Sequence, residues 1–434
     1  MRVILSGGGT GGHIYPALAL AEVIKQHDPD AEFLYVGSER GVESNIVPKT
    51  GMAFKQLAVQ GFSRSLSLEN IQTVRLFLKA VKQSKKIIKD FKPDVVVGTG
   101  GYVAGAVVYA AQRMHIPTVI HEQNSVAGVT NKFLARGATK IGVAFSVAQA
   151  QFPADKVTLV GNPRAQQVAQ LKSTFSWQTL GLRDDKPTLL IFGGSQGAPA
   201  INLAVIAAMN DFNTRAYQVV IVTGPKRYDN VIRLLEEQGI SAADNVRIVP
   251  YIDNMPEVLA QTTAIVSRAG ATSIAEITAL GIPSILVPSL HVTGDHQTKN
   301  AKSLVDAGAA LIIPEPELDG QTLIAAADQL LLDTTTSDKM AAQATKVGMP
   351  DAGDRLYQLL LSAISEKKAW YVDWWNKQHA IKKTDTTPIL VEPGHLCVDY
   401  HQFDCVFTTM ARCADCNRAV CYDSSGNHWN SCQR

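Results

Sequence analysis

The sequence has no cysteine in its first 396 residues, which excludes a disulfide framework from most of the chain. Aromatic residues make up only 7% and charged residues 18%. No apolar run reaches the roughly 20 residues of a membrane-spanning helix. No signal peptide is evident before the first apolar run, so a cytosolic chain, at most docked on a membrane surface, is expected. An excess of one charge is also lacking, since the formal net charge is +2, and no nucleic-acid partner is expected. No D-x-D pair flanked by apolar residues occurs, so an obligatory divalent metal on a diphosphate is not implied and no cofactor is required.

At 434 residues the chain is long enough for two domains and an extra piece. Its charge is unevenly spread. Residues 1–163 carry 18 Lys and Arg against 11 Asp and Glu, and the remainder 23 against 28. The basic front half fits an anionic partner such as a lipid surface or phosphates. Short β-rich runs alternate with helical stretches, the pattern of βαβ units around parallel sheets. Strands are predicted at 2–6, 32–36, 94–98, 118–121 and 140–143, and again at 188–192, 218–222, 246–249, 264–266 and 284–287. Helices are predicted between them, for example at 16–27, 70–91, 198–209, 227–238 and 296–307, with a further one at about 351–366. The two series look like a loose duplication with a hinge near VGNPR, residues 160–164. This gives an N-terminal domain over 1–163 and a second over 164–366, whose last helix either closes it or returns to the first. A Trp-rich and polar linker over 367–393, with Trp370, Trp374 and Trp375, precedes a cysteine-rich tail over 394–434.

MRVILSGGGTGG and TLLIFGGSQGA each run from an apolar strand into a glycine-rich turn and then a helix. Such a turn lets the backbone approach a phosphate, and the helix N-terminus adds free N–H groups and a positive dipole end. Gly7, Gly9 and Gly12 spell G-x-G-x-x-G, but a dinucleotide site also asks for an acid ending the second strand. That strand ends in Val36-Gly37-Ser38, and Glu39 comes late. A nicotinamide-dependent oxidoreductase is therefore disfavoured. His13 stands at the start of the first helix, where the positive helix end favours a neutral imidazole able to accept a proton. In the second turn Ser195 is placed to bond a diphosphate. In SRAGATSIAE, Arg268 offers a guanidinium to an anion, and Glu276 lies one turn into a helix. Gln297 and Asn300 in DHQTKNA share one helix face, where amides suit sugar hydroxyls.

Seven segments follow one another in order: SGGGTGGHIYPALALA, GTGGYVAG (98–105), HEQNSVAGVTNK (121–132), VGNPR, FGGSQGA (192–198), SRAGATSIAE (267–276) and DHQTKNA (295–301). Together they resemble the MurG family, over about residues 1–365. The resemblance implies a GT-B fold: two Rossmann-like, doubly wound α/β domains facing each other across a cleft. It implies an inverting transfer of N-acetylglucosamine from UDP-GlcNAc to the MurNAc 4-hydroxyl of lipid I, giving lipid II. Glu276 would bind the uridine ribose, Ala271, Thr272 and Ser273 would lie against the donor, and Ile252 would read the uracil edge through its backbone. Gln297 would grip the GlcNAc 3- and 4-hydroxyls, with Ser195, Arg268 and Asn300 completing the donor set. Gly9, Thr10, Gly11, Gly12 and His13 would cradle the acceptor's diphosphate, with Tyr102, Asn124 and Arg164 also on the acceptor side. His13 is the first candidate general base and Glu122 the second, both facing the cleft.

A lipid acceptor implies the cytoplasmic face of the membrane, its anionic leaflet and other cell-wall synthesis proteins as partners. RLFLKAVKQSKKIIKDFK, residues 75–92, is a basic amphipathic stretch suited to such a surface, although an apolar stripe of this kind also packs surface helices onto sheets. In the tail, Cys413, Cys416, Cys421 and Cys432 are candidate ligands of a small structural zinc module; a reduced appendage without metal is the alternative. Two other functions remain open from the residues: a GT-B enzyme with a different acceptor, and a non-catalytic lipid-binding scaffold with a cysteine-rich partner module.

Overall fold

A computed structural model describes residues 1–61, 69–378, 409–412 and 419–422. Residues 1–367 form one compact unit built on two parallel sheets. The first contains β1 (Arg2–Gly7), β2 (Glu32–Ser38), β3 (Ala53–Leu57), β4 (Val95–Gly100), β5 (Thr118–Glu122), β6 (Lys140–Val143) and β7 (Val157–Leu159). The second contains β8 (Thr188–Phe192), β9 (Gln218–Val222), β10 (Val246–Val249), β11 (Ala264–Ser267), β12 (Ser284–Leu286) and β13 (Leu311–Ile312). Their orders are β3-β2-β1-β4-β5-β6-β7 and β10-β9-β8-β11-β12-β13. In each sheet the order reverses once, between β1 and β4 and between β8 and β11. In open α/β sheets ligands bind beyond the carboxyl ends of the strands at that reversal.

The strands are near-continuous apolar runs because helices cover both faces. Alternate residues of one strand enter different cores. Val95 and Val97 pack with Val3, Leu5 and Val119 on one face, and Val96 packs with Ile4 and Ile120 on the other. Each such residue is fully buried, contributing about 1.5–3 kcal/mol relative to exposure.

The N-terminal half carries α1 (Gly11–His27), α2 (Glu43–Ile46), α3 (Glu69–Phe91), α4 (Gly101–Arg113) and α5 (Val129–Ala135). The rest carries α6 (Pro163–Gln170), α7 (Pro199–Asn213), α8 (Tyr228–Glu237), α9 (Met255–Leu259), α10 (Ala271–Leu280), α11 (His296–Val305), α12 (Gly320–Leu331), α13 (Thr334–Val347) and α14 (Ala352–Gln378). Leu356, Leu359, Leu360 and Ala363 of α14 join the core of the first sheet. The chain thus crosses between the sheets twice, and the crossings touch: a Cβ on Gly161 would fall 2.8 Å from Ala352 and 2.9 Å from Met349.

The structure departs from the sequence expectations in three places. β3, β7 and β13 are additional strands, all at or beside sheet edges, where fewer residues are buried and the apolar signal is weak. α1 begins at Gly11, not at 16, and holds Pro16 inside it, so His13 lies within the first turn. α14 continues to Gln378, so residues 367–378 of the stretch read as linker are helical. In the tail, Thr409–Arg412 and Ala419–Tyr422 pair antiparallel, with Cys421 opposite Met410. Cys413, Cys416 and Cys432 lie outside the described residues, and the zinc expectation with them.

Candidate active site

Both glycine turns fall at the points of strand-order reversal, at the carboxyl ends of β1 and β8. α1, α7 and α10 start there, and none has a side-chain N-cap or an acid in its first turn. Their leading N–H groups and positive dipole ends suit anions. At α10 the Thr272 hydroxyl is buried without a hydrogen-bond partner, a cost of about 1–3 kcal/mol unless a ligand satisfies it. Ala271 is buried beside it and Ser273 is half-buried. Ser195 stands exposed in the second turn, and Ile252 is half-buried against the core under β8 and β9.

In the first turn Gly9 has φ +86, and Gly9, Thr10 and Gly12 are exposed, with Gly11 partly so. His13 donates Nδ1–H to the Gly8 carbonyl at 2.8 Å. A carbonyl only accepts, so in the neutral ring the proton sits on Nδ1 and Nε2 keeps its lone pair. Thr99 Oγ1–H donates to the His13 carbonyl at 2.6 Å. Gly100, with φ +117, backs the ring: a Cβ there would fall 2.7 Å from His13 Cδ2. Tyr102 follows at the start of α4, 50% exposed.

The HEQN segment behaves differently from the expectation. Glu122 does not face the cleft; it is 2% exposed. Its oxygens accept from the Asn124 and Gly128 amides at 3.0 and 2.9 Å and from the Asn131 side chain at 2.8 Å. A carboxylate so engaged organises the 122–131 loop and lacks the exposed lone pair a base requires. His121 is fully buried, with Nε2 bonded to the Gly161 carbonyl at 2.8 Å. Burial pushes its pKa down, opposed by the Gly161 carbonyl and Glu122.

Asn300 is also 0% exposed, so it does not share a sugar-facing surface with Gln297. Its Oδ1 accepts from Ser125 N–H at 2.9 Å and Ser125 Oγ–H at 2.8 Å, and its Nδ2 donates to the Ala269 carbonyl at 3.2 Å and to Asn124 Oδ1 at 3.3 Å. It pegs the loop after β5 to the loop after β11 and brings the two strand ends face to face. Gln297 stays half-buried, its Oε1 accepting the Ser289 amide at 2.9 Å.

The arginines are likewise committed. Arg268 pairs with Glu315 and donates to the Val287 carbonyl at 3.1 Å, its side chain only 13% exposed. The expectation that it is presented to an anion is corrected accordingly. Arg164 donates Nε–H to Glu276 at 2.8 Å and a terminal N–H to the same oxygen at 2.6 Å, while its guanidinium lies 5.5 Å from the Tyr15 ring centre. Burial raises the Glu276 pKa, and Arg164 opposes the rise. α6 therefore reaches the carboxylate expected to meet the ribose. Sequence separations of 112 and 175 residues hide these contacts from a reading of motifs.

The glycosyltransferase family 28 N-terminal domain matches residues 3–143, and the family's C-terminal domain matches 188–356. A UDP-N-acetylglucosamine–N-acetylmuramyl-(pentapeptide) pyrophosphoryl-undecaprenol N-acetylglucosamine transferase of Leuconostoc citreum is 85% identical over 368 residues, 85% of this chain and all of that protein. A protein of the same name from Bacillus licheniformis is 52% identical over 83% of this chain and 98% of its own length. The crystal structure of Acinetobacter baumannii MurG superposes with a TM-score of 0.67 at 28% identity, covering 83% of this chain and 99% of that one. A UDP-GlcNAc 2-epimerase of Neisseria meningitidis, at 17% identity and a TM-score of 0.58, shares the fold. Two family-28 domains, whole-length relatives and the paired glycine turns agree: the chain belongs to the MurG family of glycosyltransferases.

Proposed function

We propose that the chain transfers N-acetylglucosamine from UDP-GlcNAc to the MurNAc 4-hydroxyl of lipid I, with the donor on the second sheet and the acceptor diphosphate on the first. The observation that carries this reading is the set of uncapped helix starts at the two strand-order reversals, α1 on the first sheet and α7 and α10 on the second. Each reversal would take one diphosphate, and His13 Nε2 keeps its lone pair beside the first.

An inverting displacement needs no nucleophilic side chain. The acceptor O–H gives its proton to His13 Nε2 as its oxygen bonds the anomeric carbon. The bond from that carbon to the diphosphate breaks, and the electron pair leaves with UDP. Charge developing on UDP is met by the N-termini of α7 and α10, with Ser195 and the unpartnered Thr272 hydroxyl as donors. Glu276 accepts from the ribose hydroxyls.

A membrane contact is part of the proposal. α3 buries Thr73, Ala80, Val81, Ser84 and Ile88 and packs on α4, so its apolar stripe belongs to the core. Its N-terminal half nevertheless exposes Val74 and Leu78, and α5 exposes Val129 and Phe133 by 81% and 55%. Phe77, Tyr109 and Phe133 form one aromatic cluster, with ring centres 5.5–6.2 Å apart. Arg75, Lys79, Lys82 and Lys132 are exposed on these same two helices, and Arg136 directly after the second, an apolar patch with a basic surround suited to an anionic bilayer. Among the described residues no helix is long and apolar enough to cross a membrane.

The test is UDP release from UDP-GlcNAc by the full chain with and without a lipid I analogue. Release that depends on the analogue and yields the disaccharide lipid is expected. Release without it, or transfer only to another acceptor, rejects the assignment.

A further inference from the structure

Glu43, on α2, is 0% exposed. Its Oε2 accepts the Gly9 amide N–H at 3.0 Å, and its Oε1 accepts Ser38 N–H at 2.8 Å and Ser38 Oγ–H at 2.5 Å. The chain makes room for it with residues that lack a Cβ. A Cβ at Gly8 or Gly41 would fall 2.2 or 2.1 Å from its oxygens, and one at Gly37 would fall 2.7 Å from its Cγ. Gly9 N–H and Gly8 C=O belong to one planar peptide group, and that carbonyl accepts His13 Nδ1–H. Carboxylate, peptide and imidazole therefore form one continuous hydrogen-bonded chain.

We infer that Glu43 is a positioning residue for the base, acting through the Gly8–Gly9 peptide as the buried aspartate of a serine-protease triad acts directly on its histidine. This rests on the reading of His13 as the base. A carboxylate on the N–H polarises the peptide and makes its carbonyl a better acceptor. That holds the proton on Nδ1 and keeps the Nε2 lone pair turned outward. The same negative charge stabilises the imidazolium formed when Nε2 takes the acceptor proton. Burial works to raise the Glu43 pKa, but the Ser38 hydroxyl and the Gly9 and Ser38 amides outweigh it and hold the carboxyl below its ordinary value, so it stays charged at working pH. The other groups at this turn are neutral hydroxyls or lie one step further out. Tyr35 of β2 donates to the Gly7 carbonyl at 2.9 Å, Thr99 of β4 holds the His13 carbonyl, and Arg164 of α6 lies over Tyr15.

The experiment compares wild type, Glu43→Gln and Ser38→Ala in the full chain. Glu43→Gln keeps an acceptor for Gly9 but removes the charge. Its kcat is expected to fall about tenfold and the acidic limb of its kcat profile to move about half a unit to lower pH, with KM for UDP-GlcNAc unchanged. Ser38→Ala removes a hydrogen bond from the same carboxylate and keeps its charge, so its limb should stay in place. Equal shifts in both variants, or none in Glu43→Gln, overturn the inference. Ring-nitrogen NMR of wild type needs no variant: the neutral His13 ring should carry its proton on Nδ1, and a proton on Nε2 overturns the relay. If His13→Ala retains full turnover, the base reading fails by itself. Ring-nitrogen signals that shift in Glu43→Gln and not in Ser38→Ala still support the relay, and signals unmoved in Glu43→Gln still overturn it.

Discussion

Arg164→Ala is the perturbation whose cost can be worked most fully from the structure. The Arg164 and Glu276 side chains are 14% and 9% exposed, so solvent screens their pairing little. Removing one partner of a buried pair leaves an uncompensated charge and costs about 3–5 kcal/mol. The two partners are not equivalent. Without Glu276, Arg164 keeps Gln167 Oε1 and the Tyr15 face. Without Arg164, Glu276 loses the group that opposes its burial-raised pKa. Its folded-state pKa then rises further above the unfolded value, so the fold prefers the protonated acid. Stability is retained at low pH and lost as pH rises through the folded pKa. The loss is therefore about 3 kcal/mol or more at pH 8 and smaller at pH 6, changing by up to about 1.4 kcal/mol per pH unit. For a unit of this size 3 kcal/mol lowers Tm by about 4 °C. Urea unfolding and thermal scans of Arg164→Ala, Glu276→Ala and the double variant at pH 6 and 8 measure this. The reasoning fails if Arg164→Ala costs under 1 kcal/mol, or if its cost does not shrink at pH 6, or if Glu276→Ala is the more damaging change.

Other predictions follow from single contacts. His121 has a depressed pKa from burial, so below about pH 6.5 the unfolded chain binds a proton that the folded chain refuses. Stability should fall with pH there, and His121→Gln should flatten that slope in urea titrations from pH 7 to 5; an unchanged slope contradicts the burial argument. Asn300→Ala removes the peg between the two loops and should cost about 2–3 kcal/mol. It should lower turnover while leaving UDP affinity within threefold, whereas a selective loss of UDP-GlcNAc against UDP binding would restore the sugar-gripping role. Replacing Lys82, Lys85, Lys86 and Lys89 by Glu should weaken binding to anionic vesicles by about 1 kcal/mol per residue close to the surface. Leu78→Ser with Phe133→Ser should weaken binding to neutral vesicles as well. Vesicle binding indifferent to both sets removes the membrane patch from the account.

What a sequence shows depends on how local the cause is. β4 and β9 announce themselves because both their faces are covered, so nearly every residue is apolar. β3 reads AFKQL and is mostly exposed, so its pattern is diluted. The glycine turns are legible because their geometry is built from adjacent residues. Glu122, Arg268 and Asn300 stand in recognisable segments, yet a segment names a polar group without saying which way it faces. Arg268 is turned by Glu315, and Asn300 by Ser125, both distant in the chain. Glu43 is the clearest case. It sits in an unremarked stretch, and only the fold brings its carboxylate to Gly9.

The account's central claim is that the two sheets divide the work, with His13 on the first acting on the acceptor and Glu276 on the second holding the donor. Steady-state kinetics of UDP release with a lipid I analogue, comparing wild type, His13→Ala and Glu276→Ala, tests it most directly. His13→Ala should lower kcat by about 10²–10⁴-fold with KM for UDP-GlcNAc unchanged, and Glu276→Ala should raise that KM about 10- to 100-fold. A His13→Ala enzyme that keeps its kcat, or a Glu276→Ala enzyme that keeps its donor KM, contradicts it.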